Sequence, residues 1–249
     1  MEECKTWLLK QKQTQNWTTT KATADAVYAL LLRGRDLLAS GGVVEVSLGG
    51  KAIQPEKLEP GTGFYEKRFA RGEIEPGLGH VVVSKTGEGV AWGSLHWQYL
   101  EDIGKVTSYA GTPLRLRKEL FIRHQTAKGP ELVPIRGPVA VGDELVVRIE
   151  LRVDRDIEYV HLKDQRGSGL EPVNVLSGYR YQDGLGYYES TRDTASHFFI
   201  QYLHQGTYVF EYPTRVVHRG VYQSGFAEIQ CMYAPEFNSH SESVKLEAR

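Results

Sequence analysis

The residues of this chain that could do chemistry are its histidines, a group of aspartates and a cluster of tyrosines. Eight histidines occur in 249 residues, and six residues separate His197 from His204. One strand carrying both would place them on opposite faces, and no cysteine or carboxylate lies beside them at the spacing of metal ligands. Both are interpreted as solvated or hydrogen-bonded side chains, and neither a metal nor a cofactor is expected.

Three aspartates lie close to a strand–turn–strand junction after Val153, namely Asp154, Asp156 and Asp164. Neighbouring carboxylates can act as general acid and base, or bind calcium. The Asp-Arg-Asp triplet lacks the glycine and glutamate of a calcium loop and is typical of a charged turn. No G-x-S-x-G elbow supports a hydrolase serine, although a Ser-His-Asp set assembled in space stays open. No catalytic residue is assigned, and the chain is not expected to be an enzyme.

The 26 glycines invite a search for nucleotide-binding loops. Gly49-Gly50-Lys51, Gly61-Thr62-Gly63 and Gly184-Leu185-Gly186 are the candidates. None has the G-x-x-x-x-G-K-[ST] or G-x-G-x-x-G spacing between a strand and a helix, so they predict hairpin turns.

Four tyrosines in a Gly/Asp-rich stretch are the candidate partner-binding residues: Tyr179, Tyr181, Tyr187 and Tyr188. Exposed, they would suit a sugar or a protein partner. Buried, they would pack the core and corners of a β-sandwich. The sequence leaves both interpretations open.

Composition excludes several classes of protein. Thirty Lys and Arg against 31 Asp and Glu give a net charge of −1, which is unsuited to nucleic-acid binding. No apolar run approaches the roughly 20 residues of a membrane span, and Met1-Glu2-Glu3 is acidic where a signal peptide is basic. Cys4 and Cys231 are too few for a disulfide framework.

Periodicity predicts a mainly β protein, with antiparallel β-sandwich domains preceded by a short α-helical segment. Residues 5–33 read as helices, with a cap at Thr18, Thr19 or Thr20 and a stop at Gly34. Alternation of apolar and polar residues is clearest over 145–153. The predicted strands cover 44–48, 64–69, 80–83, 90–100, 114–123, 145–153, 157–162, 196–203, 207–215 and 226–233.

The expected domains are residues 1–42, 43–107 and 111–249, with a linker at Ser108–Pro113. The helix carrying Ala22, Ala26 and Leu30 is apolar on most of its circumference and must be buried among neighbours. The chain is therefore expected to be a piece of a larger protein, with an exposed edge on the sheet of 43–107.

Several segments resemble a known family, the bacterial α2-macroglobulins. Trp7–Leu32, WLLKQKQTQNWTTTKATADAVYALLL, resembles the end of the family's helical thioester-type domain. Phe226–Ser241, FAEIQCMYAPEFNSHS, is similar to its C-terminal strand and tail. Val90–Val106 and Tyr179–Phe199 lie between them in matching order. The resemblance implies that 1–42 is the end of the helical domain, 43–107 the second half of a CUB-like domain, and 111–249 the terminal, receptor-binding-like macroglobulin sandwich.

The resemblance implies a function in protease trapping, in which a cleaved bait makes the molecule collapse around the protease. Many members then form a bond through a Cys-x-x-Gln thioester. Neither Cys4 nor Cys231 has glutamine three residues later, so no thioester residue is assigned. The implied partners are upstream domains of the same parent protein and, through the intact parent, proteases. No nucleic acid or membrane contact is expected of this chain, and the implied parent is periplasmic and lipid-anchored.

Two hypotheses follow. In the first, the chain is a non-catalytic C-terminal part of such a trap, supplying structural and docking domains with a hinge at Ser108–Pro113. In the second, it is an independent cell-envelope module that binds a glycan or a protein through its tyrosine-rich loops.

Overall fold

A computed structural model describes residues 2–32, 44–54, 64–87, 91, 93 and 95–249. Its α-helices are α1 (Glu2–Thr14) and α2 (Thr20–Leu32), and three short 3₁₀ helices cover Arg71–Glu73, Pro76–Gly79 and Ile103–Lys105. The strands of the first half are β1 (Val44–Leu48), β2 (Lys51–Ala52), β3 (Val81–Lys85), β4 (Leu114–Thr126) and β5 (Gly129–Pro134). The next are β6 (Glu144–Val153), β7 (Ile157–Gln165), β8 (Leu170–Pro172), β9 (Gly178–Gln182), β10 (Leu185–Thr191) and β11 (Ala195–Leu203). The last are β12 (Gly206–Val216), β13 (Gly220–Gln223), β14 (Ala227–Cys231), β15 (Asn238–His240) and β16 (Lys245–Ala248). The mainly β, antiparallel class is confirmed.

The chain divides into two compact units, one of Met1–Thr6 with Thr18–His96 and one of Trp7–Trp17 with Trp97–Arg249. In the first unit, α2 begins as predicted, because the Thr19 hydroxyl accepts a hydrogen bond from the Ala22 amide at 3.0 Å. Ala26 is buried, but Val27, Tyr28 and Leu31 are exposed. The described residues therefore do not supply all the neighbours that this apolar helix was expected to have. The predicted stop at Gly34 lies outside them.

The sheet of the first unit has three antiparallel strands in the order β2-β1-β3. The β1–β2 hairpin turns through Gly49 and Gly50, as predicted, with both residues at positive φ. Strand β3 is an edge of this sheet among the described residues, and its Val81, Val82 and Val83 side chains are exposed. The strand predicted over Phe64–Phe69 is wrong, since these residues have no regular structure.

The strand predicted over Val90–Leu100 is also wrong for every described residue in it, and residues 90, 92 and 94 lie outside the description. None of the described residues in this segment pairs with a strand. Leu95, Trp97 and Tyr99, which the alternation places on one face, are exposed, and so is Leu100. Alternation alone does not make a strand, because the ladder partner supplies the hydrogen bonds.

The second unit contains a β-sandwich. Its six-stranded sheet has the order β15-β14-β7-β11-β10-β9, and its five-stranded sheet has the order β5-β4-β6-β12-β8. A small sheet of β13 and β16 adjoins them. Leu145, Val147, Ile149, Leu151 and Val153 of β6 are buried, as their alternation predicted, and each contributes about 1.5–3 kcal/mol by leaving water.

The predicted linker at Ser108–Pro113 is bonded to the sandwich rather than free. The amide of Tyr109 donates to the His240 carbonyl of β15 at 2.9 Å, and the His240 amide donates back at 3.3 Å. The Thr112 hydroxyl donates to the carbonyl of Asn238 at 2.6 Å. The hinge expected at this segment is therefore not supported, because bending there would break these three bonds.

Candidate docking face

The outward face of the six-stranded sheet carries an aromatic row built by strand register. Tyr179 of β9 lies opposite Tyr188 of β10, which lies opposite Phe199 of β11, which lies opposite His161 of β7. Directly opposed side chains lie close enough to pack, so four strands form one continuous row. We call this row, together with the neighbouring Tyr181 and His197, the aromatic face.

The rings of the aromatic face contact one another in pairs. Tyr179 and Tyr188 meet edge to face, with centroids 5.2 Å apart, and His161 and Phe199 stack at 4.7 Å with planes 9° apart. Tyr179 and Tyr181 are 84% and 75% exposed, whereas Tyr188 and Phe199 are 36% and 39% exposed. A row of exposed aromatic rings on a rigid sheet is a surface suited to a protein or sugar partner.

Two histidines of the aromatic face bond to each other. His161 Nε2 lies 2.9 Å from His197 Nδ1, and the two rings are parallel to within 1°. Burial lowers the pKa of both imidazoles, and the charge of Lys163 lowers both pKa values further, partly offset by the carboxylate of Glu228. The lowered pKa values favour the neutral form of both rings, in which one ring nitrogen of the bonded pair donates and the other accepts.

Tyr187, the fourth tyrosine of the predicted set, points the other way. It is 4% exposed and packs in the core against Phe198 and Phe210, with centroids 5.6 and 5.3 Å away. Burial raises the pKa of its hydroxyl to about 12, and the nearby charge of Glu189 adds to the rise. Tyr187 and Tyr188 are adjacent in one strand, so only one of them can face outward. Tyr187 is therefore a core residue, and Tyr179, Tyr181 and Tyr188 are the exposed members of the candidate set.

The outward face of the five-stranded sheet has the opposite chemistry. Ion pairs join Arg148 to Glu211 at 2.6 Å and Arg152 to Glu150 at 2.7 Å, and further arginines alternate along β4. Such a face is well hydrated. The two outer faces of one sandwich therefore differ, and the aromatic face is the one that gains from being covered.

One ion pair lies inside the sandwich and joins its two sheets. Lys118 Nζ of β4 lies 2.5 Å from Asp164 Oδ1 of β7, with the side chains 2% and 0% exposed. Lys118 also donates to the carbonyls of Gln165, Ser224 and Gly225 at 3.1–3.3 Å. The Tyr212 hydroxyl donates to the second oxygen of Asp164. Every polar atom of the pair is thus hydrogen-bonded, as a buried charge requires.

Of the remaining acids and histidines, Asp156 and His204 lie beside each other, with His204 Nδ1 3.6 Å from Asp156 Oδ2. Asp156 accepts hydrogen bonds from the Gln205 amide at 2.7 Å and the Tyr202 hydroxyl at 3.0 Å, which lower its pKa and brace the β11–β12 turn. Asp154 pairs with Arg155 at 2.9 Å. No group of three or more metal-ligating side chains occurs among the described residues.

A small polar cavity opens between the sheets beside β9. It measures about 90 Å³ and is lined in part by Arg180, Gln182 and Glu189. Sites for small molecules are typically about 300–1,000 Å³, so this cavity suits a few water molecules. No helix among the described residues is long and apolar enough to cross a membrane.

The sandwich matches a known domain family. Residues 114–236, which run from β4 to the segment after β14, match the family model described as bacterial alpha-2-macroglobulin MG10 domain. These residues therefore form a domain of the bacterial alpha-2-macroglobulin family, the family that the sequence motifs indicated.

Solved structures of bacterial alpha-2-macroglobulins are similar to this chain. The chain is similar to Escherichia coli alpha-2-macroglobulin activated by porcine elastase, with 15% identity and a TM-score of 0.50, over 96% of this chain and 21% of that one. It is also similar to the trypsin-activated Escherichia coli protein, with 14% identity, a TM-score of 0.49 and coverage of 96% and 16%. Salmonella alpha-2-macroglobulin reacted with methylamine gives 17% identity, a TM-score of 0.43 and coverage of 94% and 15%.

This chain thus spans about a fifth or less of the length of those three proteins. No curated protein gives a significant match.

Three residues of the aromatic face were not predicted from the sequence: His161, His197 and Phe199. For His197, the feature that was missed is its bond to His161. A signal for two of them was present, because His197 and Phe199 alternate with the apolar Phe198 and Ile200 along β11. Their meeting with His161 depends on the pairing of β7 with β11 across 36 residues, which alternation does not reveal.

Proposed function

We propose that this chain is the non-catalytic C-terminal part of a bacterial alpha-2-macroglobulin-like protein that traps proteases. Residues 111–249 would be its docking sandwich, 43–107 the second half of a CUB-like domain, and 1–42 the end of a helical thioester-type domain. Its partners would be upstream domains of the same parent and, through the intact parent, proteases. The parent would be periplasmic and lipid-anchored.

The observation that carries the docking role is the aromatic face. Tyr179, Tyr188 and Phe199 expose apolar rings on a sheet whose core is already complete. Covering such rings releases about 25 cal/mol per Å² of apolar surface. The charged face of the other sheet offers no comparable gain, so the sandwich has one preferred side for contact with a neighbouring domain.

A paired substitution in the full-length gene product tests the docking role. Tyr188→Ser with Phe199→Ser removes apolar surface from the aromatic face, and Arg115→Ser with Arg152→Ser is the matched change on the charged face. Trypsin is added, and the fraction of protease that co-elutes with the protein in size-exclusion chromatography is measured. The aromatic-face variant should retain less protease than the unsubstituted protein, while the charged-face variant should retain the same amount.

Equal retention by both variants would contradict the docking role of the aromatic face. Normal retention by a parent lacking residues 111–249 would contradict any role of the sandwich in trapping.

A second function is favoured by the exposure of three tyrosines. An independent envelope module could bind a glycan or a protein through Tyr179, Tyr181 and Tyr188, whose rings are accessible without any rearrangement. Tyrosine fluorescence during titration with candidate sugars tests this function. A saturable change that is lost in Tyr179→Ala would support it, and no change with any sugar would remove the glycan form of the hypothesis.

A further inference from the structure

Strand β9 is an edge of the six-stranded sheet, and its backbone geometry is set by the hairpin that it forms with β10. Gln182 and Leu185 flank the two-residue turn Asp183-Gly184, whose residues both have positive φ. In such a hairpin the flanking pair exchanges hydrogen bonds, and every second residue does so along the ladder. Gln182, Arg180 and Gly178 therefore bond to β10.

The backbone groups of Tyr179 and Tyr181 point in the opposite direction, away from the sheet. Among the described residues, no backbone group bonds to the amide or carbonyl of either tyrosine. The edge thus presents two amide donors and two carbonyl acceptors in the spacing of one further strand.

The other edges of this sandwich are protected. At β15, Tyr109 occupies the outer side through its two bonds with His240. β5 contains Pro130 and Pro134, and the three-residue β8 ends in Pro172, all of which remove edge donors. Within the described sandwich, β9 is the edge that carries neither proline nor a covering segment.

The tip of the β9 hairpin is held in place by the other sheet. The Gln182 side chain donates to the Glu211 carbonyl at 3.1 Å and accepts from the Glu211 amide at 3.0 Å, and Asp183 accepts from the Val209 amide at 2.8 Å. These side chains pair with the part of β12 that β8 does not reach. The same bonds fix β9 as a preorganised edge, which lowers the entropic cost of adding a strand.

We propose that β9 binds an extended segment of another polypeptide, which adds to the six-stranded sheet as a seventh strand. Strand addition of this kind takes its affinity from main-chain hydrogen bonds and its specificity from alternate side chains. This assignment does not rest on the protease-trapping role, because an open edge binds a strand in an envelope module as well.

The side chains of β9 define the partner segment as apolar–acidic–apolar. Residues opposite Tyr179 and Tyr181 would lie on the aromatic face and contact exposed rings. The residue opposite Arg180 would lie on the inner side, where the Arg180 side chain is 38% exposed and pairs with Glu189 at 3.1 Å. An acidic residue there complements Arg180.

A second copy of this chain is the less favoured occupant. Two β9 strands paired about a two-fold axis through Arg180 would place the two Arg180 side chains directly opposite each other. Like charges directly opposite are destabilising, so the heterologous acidic segment is preferred.

The probe for this edge is a fluorescein-labelled peptide, Ser-Thr-Val-Glu-Val-Thr-Ser, with a control peptide carrying lysine in place of glutamate. Binding to the full chain is measured by fluorescence anisotropy. The glutamate peptide should bind saturably, and the lysine peptide at least about threefold more weakly, because Arg180 repels it.

Two substitutions distinguish binding through the backbone of the β9 edge from binding through the ring of Tyr181. Tyr181→Pro removes the outward amide and leaves the β9–β10 ladder intact, since that amide does not bond to β10. Tyr181→Ala removes the ring and keeps the amide. The proline variant should bind the peptide at least about tenfold more weakly than the alanine variant, with an unchanged far-ultraviolet circular dichroism spectrum. Tyr179→Pro repeats the test at the other outward amide if the first variant does not fold.

Three results would overturn the proposal. They are the absence of saturable peptide binding, equal binding by the proline and alanine variants, and equal binding of the two peptides. A concentration-dependent dimer in sedimentation velocity that Tyr181→Pro abolishes would also overturn it, by assigning the edge to a second copy.

Discussion

Removing Lys118 from the sandwich should cost far more stability than removing any exposed lysine. Lys118→Met leaves the Asp164 carboxylate buried with the Tyr212 hydroxyl as its remaining bonded partner. It also removes a donor from three backbone carbonyls, of which the Gly225 carbonyl keeps the Ser224 hydroxyl. Breaking a buried pair in this way costs about 3–5 kcal/mol. At about 1.4 kcal/mol per tenfold change, the ratio of folded to unfolded chains falls by roughly a hundredfold to several thousandfold.

The measurement is urea-induced unfolding of the full chain, followed by circular dichroism of the β-sheet. Lys163→Met is the matched control, because Lys163 pairs with Glu228 at 3.2 Å with both side chains partly exposed. The control should cost less than about 1 kcal/mol. Asp164→Val combined with Lys118→Met should cost at least about 2 kcal/mol less than the sum of the two single changes, since the double variant buries no lone charge. A cost below about 1 kcal/mol for Lys118→Met would refute the reasoning.

Three further predictions follow from the sandwich. Because burial lowers the pKa of His161 and His197 in the folded state, the unfolded state binds more protons below its pKa of about 6.5. The melting temperature should therefore fall as the pH drops from 7 towards 5, and a double glutamine variant of the two histidines should show a flatter profile; an unchanged profile would contradict the assignment. Tyr187→Ala should lower the free energy of unfolding in urea by about 3–5 kcal/mol, whereas Tyr179→Ala should lower it by less than about 0.5 kcal/mol. Equal losses would contradict the placing of Tyr187 in the core and Tyr179 on the surface. Gly225→Ala should cost more than about 1 kcal/mol, since Gly225 has φ +77° and an added Cβ would lie 2.4 Å from a backbone oxygen; calorimetry showing no loss would refute this.

Sequence periodicity predicted the sandwich because both of its sheets have one buried face. The alternation over 145–153 holds in β6 except at Val146, which is buried although it lies on the outward face. The strands predicted over 157–162, 196–203 and 207–215 lie within β7, β11 and β12. In the 90–100 segment the same kind of alternation misled, since the residues of it that the structure describes pair with no strand.

The alternation of residues along β4 contained a signal for the buried ion pair. Lys118 has the same parity as the buried Leu116 and Leu120, so its charge had to enter the core and find a partner there. The identity of that partner could not be predicted, because Asp164 lies 46 residues away and on the opposite sheet.

The aromatic face was partly predictable for a similar reason. The tyrosines were found by composition, but their inward or outward direction depends on the position of the Asp183-Gly184 turn.

The measurement that tests the central claim most directly is an immunoblot of the source cell with an antibody against this chain. If the chain is part of a protease-trapping parent, the antibody should detect a band several times larger than 28.1 kDa, and that band should co-elute with added trypsin. A single band at 28.1 kDa that does not retain trypsin would contradict the account and leave the envelope binding module as the function of this protein.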